Sequence, residues 1–439
     1  MARKLLSAGM ALALAFPLAA QADTAADIDA LRKEMEAIRS SYEQRLQALE
    51  QRLKAAEAQA AATPAQPAPA PAPVAVAAPA AAPTANAFNP AISLILSGQY
   101  GRTSRDPVDY SITGFPLPAG AEVGPSRGFS LAETELGISA NIDPWFRGQA
   151  SIALHPDNSV SVEEAFVQTT SLGNGLTLKA GRFFSGIGYL NEKHAHTWDF
   201  ADNPLAYQVF LGNQFGDDGL QLRWLAPTDT FLEFGAEVGR GRGFPGSDTS
   251  RNSAGAASLF VHAGGDIGDS HSWRAGLSLL NAKATDQALV TTGSMGGSSE
   301  AVFSGRTRVL IADGVWKWAP DGNAKRTNFT LQGEYLVSDR DDSARQSGWY
   351  LQGAYQFMPR WRVGLRTEAL ASGSVFDADL MANAGYKPRK DSLMLEFNPS
   401  EFSRVRLQLA RDRSRYGLPD NQLLLQYQMS LGAHGAHGF

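Results

Sequence analysis

The 439-residue chain contains no cysteine, so no disulfide can brace it and its stability must come from other interactions. Beyond one apolar run near the amino terminus, no stretch of about 18 apolar residues occurs, which excludes an α-helical membrane span. The net charge is only -5, so the electrostatic footprint of a nucleic-acid binder is missing. No G-x-S-x-G, no H-E-x-x-H and no P-loop occurs. The expectation is therefore a protein that is not an enzyme, carries no cofactor and binds no nucleic acid.

What is present falls into four segments. Residues 1–22 read as a signal peptide: Arg3 and Lys4 are followed by an apolar run from Leu5 to Ala19, then Ala20-Gln21-Ala22 as cleavage signal. Residues 24–57 are helical in pattern. Ile28, Leu31, Met35, Ile38, Tyr42, Leu46, Leu49 and Leu53 form a heptad stripe with one stutter, so a self-associating α-helical coiled coil is expected. Residues 58–90 repeat Ala-Pro steps with almost no charge, as in a semi-rigid extended linker.

From Ala91 to Phe439 short runs alternate apolar and polar residues between Gly, Pro, Asn and Asp breaks. Strands are expected near 91–103, 127–143, 145–155, 159–169, 174–184, 218–227, 229–240, 255–268, 271–282, 302–318, 324–338, 346–357, 360–371, 390–397, 402–413 and 421–433. Breaks after even-numbered strands are short. Those after odd-numbered strands are mostly long, including 104–126, 185–217 and 283–301. Short turns at one end and long loops at the other suit an all-β, transmembrane antiparallel β-barrel of about sixteen strands. Backbone amides in hydrocarbon must all pair, which requires closure. Trp145, Trp224, Trp273, Trp316, Trp318 and Trp361 fall near strand ends, where interfacial belts place such rings.

Lipid accepts only the apolar face of each strand, so the charged face should meet the lumen. That reading makes Arg306, Arg308, Arg360, Arg362, Arg366, Arg404 and Arg406 pore-lining on the later strands. Glu133, Glu135, Glu163, Glu233 and Glu237 line the earlier ones. Opposed basic and acidic walls would set a transverse field across the channel. Loop 185–217, long and aromatic, is expected to fold inward and narrow the pore. Within it Glu192, His194, His196 and Asp199 stand close together as carboxylate and imidazole donors, a candidate metal site. His434 and His437 belong to the opposite end of the barrel. The function expected is passive diffusion of small hydrophilic solutes or ions. The alternative is a metal-related or structural barrel without general pore activity.

With a coil before a Pro-rich linker and a barrel, the layout resembles trimeric outer-membrane porins of the phosphate-selective and sucrose-type groups. That resemblance implies a homotrimer in outer-membrane lipid, a periplasmic coiled coil, and 185–217 as the constriction loop. Members that select phosphate carry an Arg and Lys ladder. Here the arginines are scattered and countered by Glu, leaving phosphate, sugars, small acids and general diffusion open. Known outer-membrane barrels also end on an aromatic residue read by the barrel assembly machinery. Phe439, preceded by alternating Leu423, Leu425, Tyr427, Met429 and Leu431, resembles that signal.

Overall fold

The computed structural model describes residues 51, 90–119, 121, 123–132, 134–247, 252–292, 298–373 and 385–432. The expected signal peptide, coiled coil, linker and terminal Phe439 lie outside the described residues, as does Glu133. All described strands belong to the unit Pro83–Phe439.

In chain order the strands are β1 (Ala91–Thr103), β2 (Leu117–Pro118), β3 (Gly128–Leu131), β4 (Thr134–Asn141), β5 (Phe146–Leu154) and β6 (Val160–Thr169). Then come β7 (Leu176–Phe184), β8 (Gly216–Leu225), β9 (Phe231–Gly239), β10 (Ala256–Ile267), β11 (His271–Thr292) and β12 (Ser298–Trp318). The last are β13 (Asn328–Arg340), β14 (Gln346–Met358), β15 (Trp361–Ala371), β16 (Arg389–Ser400), β17 (Ser403–Arg413) and β18 (Asp420–Gly432). Strands β3 and β4 follow one another along β1 as one interrupted strand, and β2 is a two-residue pairing on β11. The sheet thus has sixteen positions, all antiparallel. It closes where β1 pairs β18, from Ser93 opposite Gly432 to Thr103 opposite Gln422. Closure leaves no edge strand in the barrel wall itself.

Each expected strand is present. The main difference is at 283–301, expected as a loop, where β11 and β12 instead continue as a long hairpin. The polar triplet Thr285-Asp286-Gln287 looks like a break. It is a bulge, with the register shifting between Ala284 and Gln287 and Asp286 at φ 50°. Beyond it Ala284, Leu289 and Phe303 form a small buried cluster.

The six tryptophans named above all lie at the end of the barrel with the short turns. Trp361 packs on Phe397 and Trp316 on Phe329, with ring centroids 4.7 Å and 5.9 Å apart. The outer face between is apolar, with Leu277, Leu279, Leu393, Leu395 and Leu425 all exposed. Among the described residues no helix is long and apolar enough to cross a membrane.

The lumen holds a hydrophobic core in its loop-end half. Tyr110, Ile112, Phe115 and Leu117 from the first long connection meet residues of the connection after β7. Wall residues Leu280, Val309, Ile311, Leu336 and Leu370 face them. This reverses the expectation for β12. Val309 and Ile311 are fully buried and face inward, so the alternating Arg306 and Arg308 stand exposed on the outer face. Two facts permit this. The lumen is apolar at that level, and Arg306 lies at the rim of the β12–β13 pairing, where its carbonyl accepts from the Asp341 amide just past β13 at 3.1 Å.

Candidate functional site

The connection between β7 and β8, residues 185–215, turns into the barrel. Its sequence lacks the alternation of a strand and carries apolar residues that need a partner surface. The segment Leu205–Leu211 forms helix α1, in which every residue is buried. A seven-residue helix that is buried all round is held by packing rather than by propensity. Pro204 precedes it, and Gly212 ends it at φ 59° in the left-handed region. The helix lies against β13, β14 and β15. Gly348 permits the approach: a Cβ there would stand 3.1 Å from the Ala206 Cβ.

An irregular segment inside a barrel must still satisfy its backbone amides. Wall carboxylates do this. Glu237 takes the hydroxyl of Ser185 and, at 2.9 Å, the amide of Gly186. Glu334 accepts from the amides of Tyr189 and Leu190 at 3.2 and 3.0 Å and from the Tyr207 hydroxyl. Glu368 accepts from the Leu205 amide at 2.5 Å, at the start of α1.

Basic wall residues hold the acidic side chains and carbonyls of the same loop. Arg362 pairs with Asp199 at 2.5 Å and with Glu396 at 3.1 Å. Arg366 and Lys390 converge on Asp202 at 2.6 and 2.5 Å, and Gln408 adds a hydrogen bond at 2.8 Å. Arg404 donates to the His196 carbonyl at 2.7 Å, and Arg406 to the Trp198 carbonyl at 2.6 Å. Burial would raise the Asp202 pKa. Lys390 and Arg366 outweigh it and hold the carboxyl well below its usual range.

The expected pore-lining residues therefore divide. Arg362, Arg366, Arg404, Arg406, Glu135, Glu163, Glu233 and Glu237 do face the lumen, but they grip the inner loop or one another rather than line an open wall. Glu233, for instance, lies 3.5 Å from Arg223 and 3.2 Å from His262. Arg306 and Arg308 face outward, and Arg360 sits exposed in the turn between β14 and β15. Arg306→Ala and Arg308→Ala should each change stability by no more than about 0.5 kcal/mol and leave conductance unaltered. A bilayer recording in which either variant changes the conductance step would return them to the pathway.

The expected metal set also divides. His194 and His196 stack with ring centroids 5.6 Å apart. Glu192 is drawn away to Arg223, and Asp199 to Arg362. Three wall carboxylates take their place around His194: Glu135 at 3.0 Å, Glu163 at 3.2 Å and Glu164 at 3.1 Å. Burial alone would lower the His194 pKa. Hydrogen bonds to Glu163 and Glu164, with the negative charge of Glu135 beside them, outweigh it and raise it well above the imidazole value.

Sequence reasoning passed over Asp202, Glu164, Glu334, Lys390 and Glu396. For Lys390 and Glu396 a signal existed, since Leu393 and Leu395 set the outer face of β16 and leave both on the inner one. Glu164 gave none, because a bulge breaks the alternation there.

Two cavities remain toward the turn end, of about 460 and 620 Å³. Tyr189 and Lys193 border both, Lys317 the first and Arg274 the second. Lys193 and Arg274 each lie over the Tyr189 ring, 5.2 and 5.3 Å from its centroid. Burial, with Lys317 and Arg274 nearby, brings the Lys193 ammonium down to about 8.

No family model matches the chain. It is 32% identical over 395 residues to an uncharacterized protein of Aquifex aeolicus (strain VF5), covering 80% of each sequence. Among solved structures, a loop L8 deletion mutant of OmpT, an outer membrane protein of Vibrio cholerae, superposes with a TM-score of 0.52 at 12% identity. The match spans 78% of this chain and 99% of that one. An anion-selective porin from Comamonas acidovorans gives 0.51 at 10% identity, over 78% and 99% of the two chains. At such identities the likeness is one of fold.

Proposed function

The chain belongs to the family of the uncharacterized Aquifex aeolicus protein, and we propose that it is an outer-membrane porin. It forms a water-filled channel for passive diffusion of small hydrophilic solutes or ions and has no enzymatic role. The inner loop, 185–217 in the sequence reading, is its constriction. The observation that carries this reading is that loop, anchored inside a closed sixteen-position barrel and leaving cavities with charged linings beside it. An apolar outer face above a tryptophan girdle supports lipid as the surroundings.

The same reading makes the protein a homotrimer with its coil in the periplasm, inserted by the barrel assembly machinery. The heptad stripe at 28–53 supports the trimer and the alternation along β18 the barrel.

The channel should prefer anions modestly. Three cations, Lys193, Lys317 and Arg274, border the cavities around Tyr189 beside two carboxylates, Asp266 and Glu401, while Glu192 and Glu233 there lie against Arg223. A planar bilayer tests both statements. Purified protein should give discrete conductance steps, and the reversal potential in a KCl gradient should indicate anion preference. Lys317→Glu should move that potential toward cation preference. Absence of any conducting step would leave a structural barrel. An unmoved potential in Lys317→Glu would remove the basic cluster from the pathway.

A further inference from the structure

The cluster around His194 has more donors than holding a loop requires. Strand β6 carries a bulge: Ser151 faces Glu164 and Ile152 faces Val162, leaving Glu163 as the extra residue. Such a bulge turns two successive side chains to one face. Both carboxylates thereby reach His194, and Glu135 reaches it from β4.

Three donor atoms, from Glu135, His194 and His196, lie within 4.8 Å of one another, and Glu163 reaches His194 from β6 as a fourth. His194 Nδ1 lies 3.0 Å from Glu135 Oε2 and 3.2 Å from Glu163 Oε2, and His196 Nδ1 lies 3.3 Å from the same Glu135 oxygen. Tetrahedral ligands at zinc bond lengths of about 2.0–2.1 Å stand roughly 3.3–3.4 Å apart. These three separations come within a few tenths of an ångström of that spacing. Glu135 is 6% exposed, and its Oε2, aimed into the cluster, accepts no hydrogen bond. A buried carboxylate oxygen beside two imidazole nitrogens, with no donor of its own, is a ligand atom in want of a cation.

The surroundings fit as well. His194 Nε2 lies 3.1 Å from Glu164 Oε2, and Glu164 is itself fixed by the Phe184 amide at 3.1 Å. A carboxylate on the far ring nitrogen sets the tautomer and turns Nδ1 toward the metal. Two nitrogen and two carboxylate donors suit a borderline divalent ion rather than calcium or magnesium, which prefer oxygen alone.

We propose that Glu135, Glu163, His194 and His196 bind one divalent transition-metal ion of the zinc class, with Glu164 orienting His194. The ion would staple the inner loop to β4 and β6. This site is separate from the charge pairs on β15–β17 and does not depend on what the channel conducts.

The test uses the full chain with His434→Ala and His437→Ala, which removes the tail imidazoles as competing donors. After chelator treatment, equilibrium dialysis against Zn²⁺ should give one ion per chain. Glu135→Gln and Glu163→Gln, both nearly isosteric, should abolish stoichiometric binding. Glu164→Gln should weaken it by about 10- to 100-fold, as expected of an outer partner. Co²⁺ in place of Zn²⁺ should show the intense visible absorption of a four-coordinate ion, absent in Glu135→Gln. Heat-modifiable gel mobility verifies that each variant is folded. Folded parent protein that takes up no Zn²⁺ would overturn the proposal and leave a proton on His194 as the cation there. So would binding unchanged by Glu135→Gln, which would place the ion elsewhere.

Discussion

Asp202→Ala is expected to free the inner loop from the β15–β17 wall. Three donors, Arg366, Lys390 and Gln408, meet on this one carboxylate. Arg366 and Lys390 are buried, so removing their shared partner leaves two positive charges poorly compensated. Breaking a buried pair in this way costs about 3–5 kcal/mol. Glu368 stays 3.2 Å from Arg366 and Asp412 3.9 Å from Lys390, which places the loss toward the lower end of that range. The denaturant midpoint in detergent should fall accordingly, and the conductance step should grow as residues 196–205 leave the wall. A variant with wild-type midpoint and wild-type conductance would show that the other anchors suffice. Acid should act on the wild type in the same direction. The folded pKa of Asp202 is depressed, so its contribution is fully present above the unfolded value of about 3.9 and lost only as pH falls through the folded one. Loop release through this anchor should therefore appear only below the ordinary carboxylate range.

Ile311→Ala is the second large expected effect. In a barrel with a uniformly polar lumen an inward isoleucine would be an anomaly, and an outward one would touch lipid. Here Ile311 is fully buried among Val309, Leu336 and the inner loop. Truncating it leaves a cavity that α1 and the wall cannot readily collapse, at a cost of about 2–5 kcal/mol. Leu310, its neighbour on the outer face, is 51% exposed and loses less when shortened to alanine. Chemical unfolding of the two variants side by side gives the comparison. Equal losses would mean that the loop-end lumen is not packed, and the reversal of β12 would fail with it.

That reversal shows where the sequence stops being informative. Period-two alternation establishes that Val309 and Ile311 share one face and Arg306 and Arg308 the other. It does not say which face is inside. The usual rule, charge toward water, agrees with the inward direction of Arg362, Arg366, Arg404 and Arg406, although they bind the inner loop there rather than line an open wall. It failed on β12, where the lumen is filled by aromatic and aliphatic residues of two distant connections. Similarly, His194 and His196 were recognisable as donors, but their acidic neighbours in sequence were not their partners in space. Glu192 and Asp199 found arginines first.

Strand number, the alternation of short turns with long loops, and the long inward-folding segment can be read along the chain alone. These follow from local periodicity and from the requirement that a sheet in hydrocarbon close on itself. Only the tertiary structure decided which charges meet. Asp202 joins Lys390 across 188 residues, and Glu135 joins His194 through a different part of the wall. The inner loop selects those partners as it packs, because each buried charge must find its counter-charge and each loop amide an acceptor. No pattern along the chain encodes that choice, since the partners lie on strands brought together only when the barrel closes.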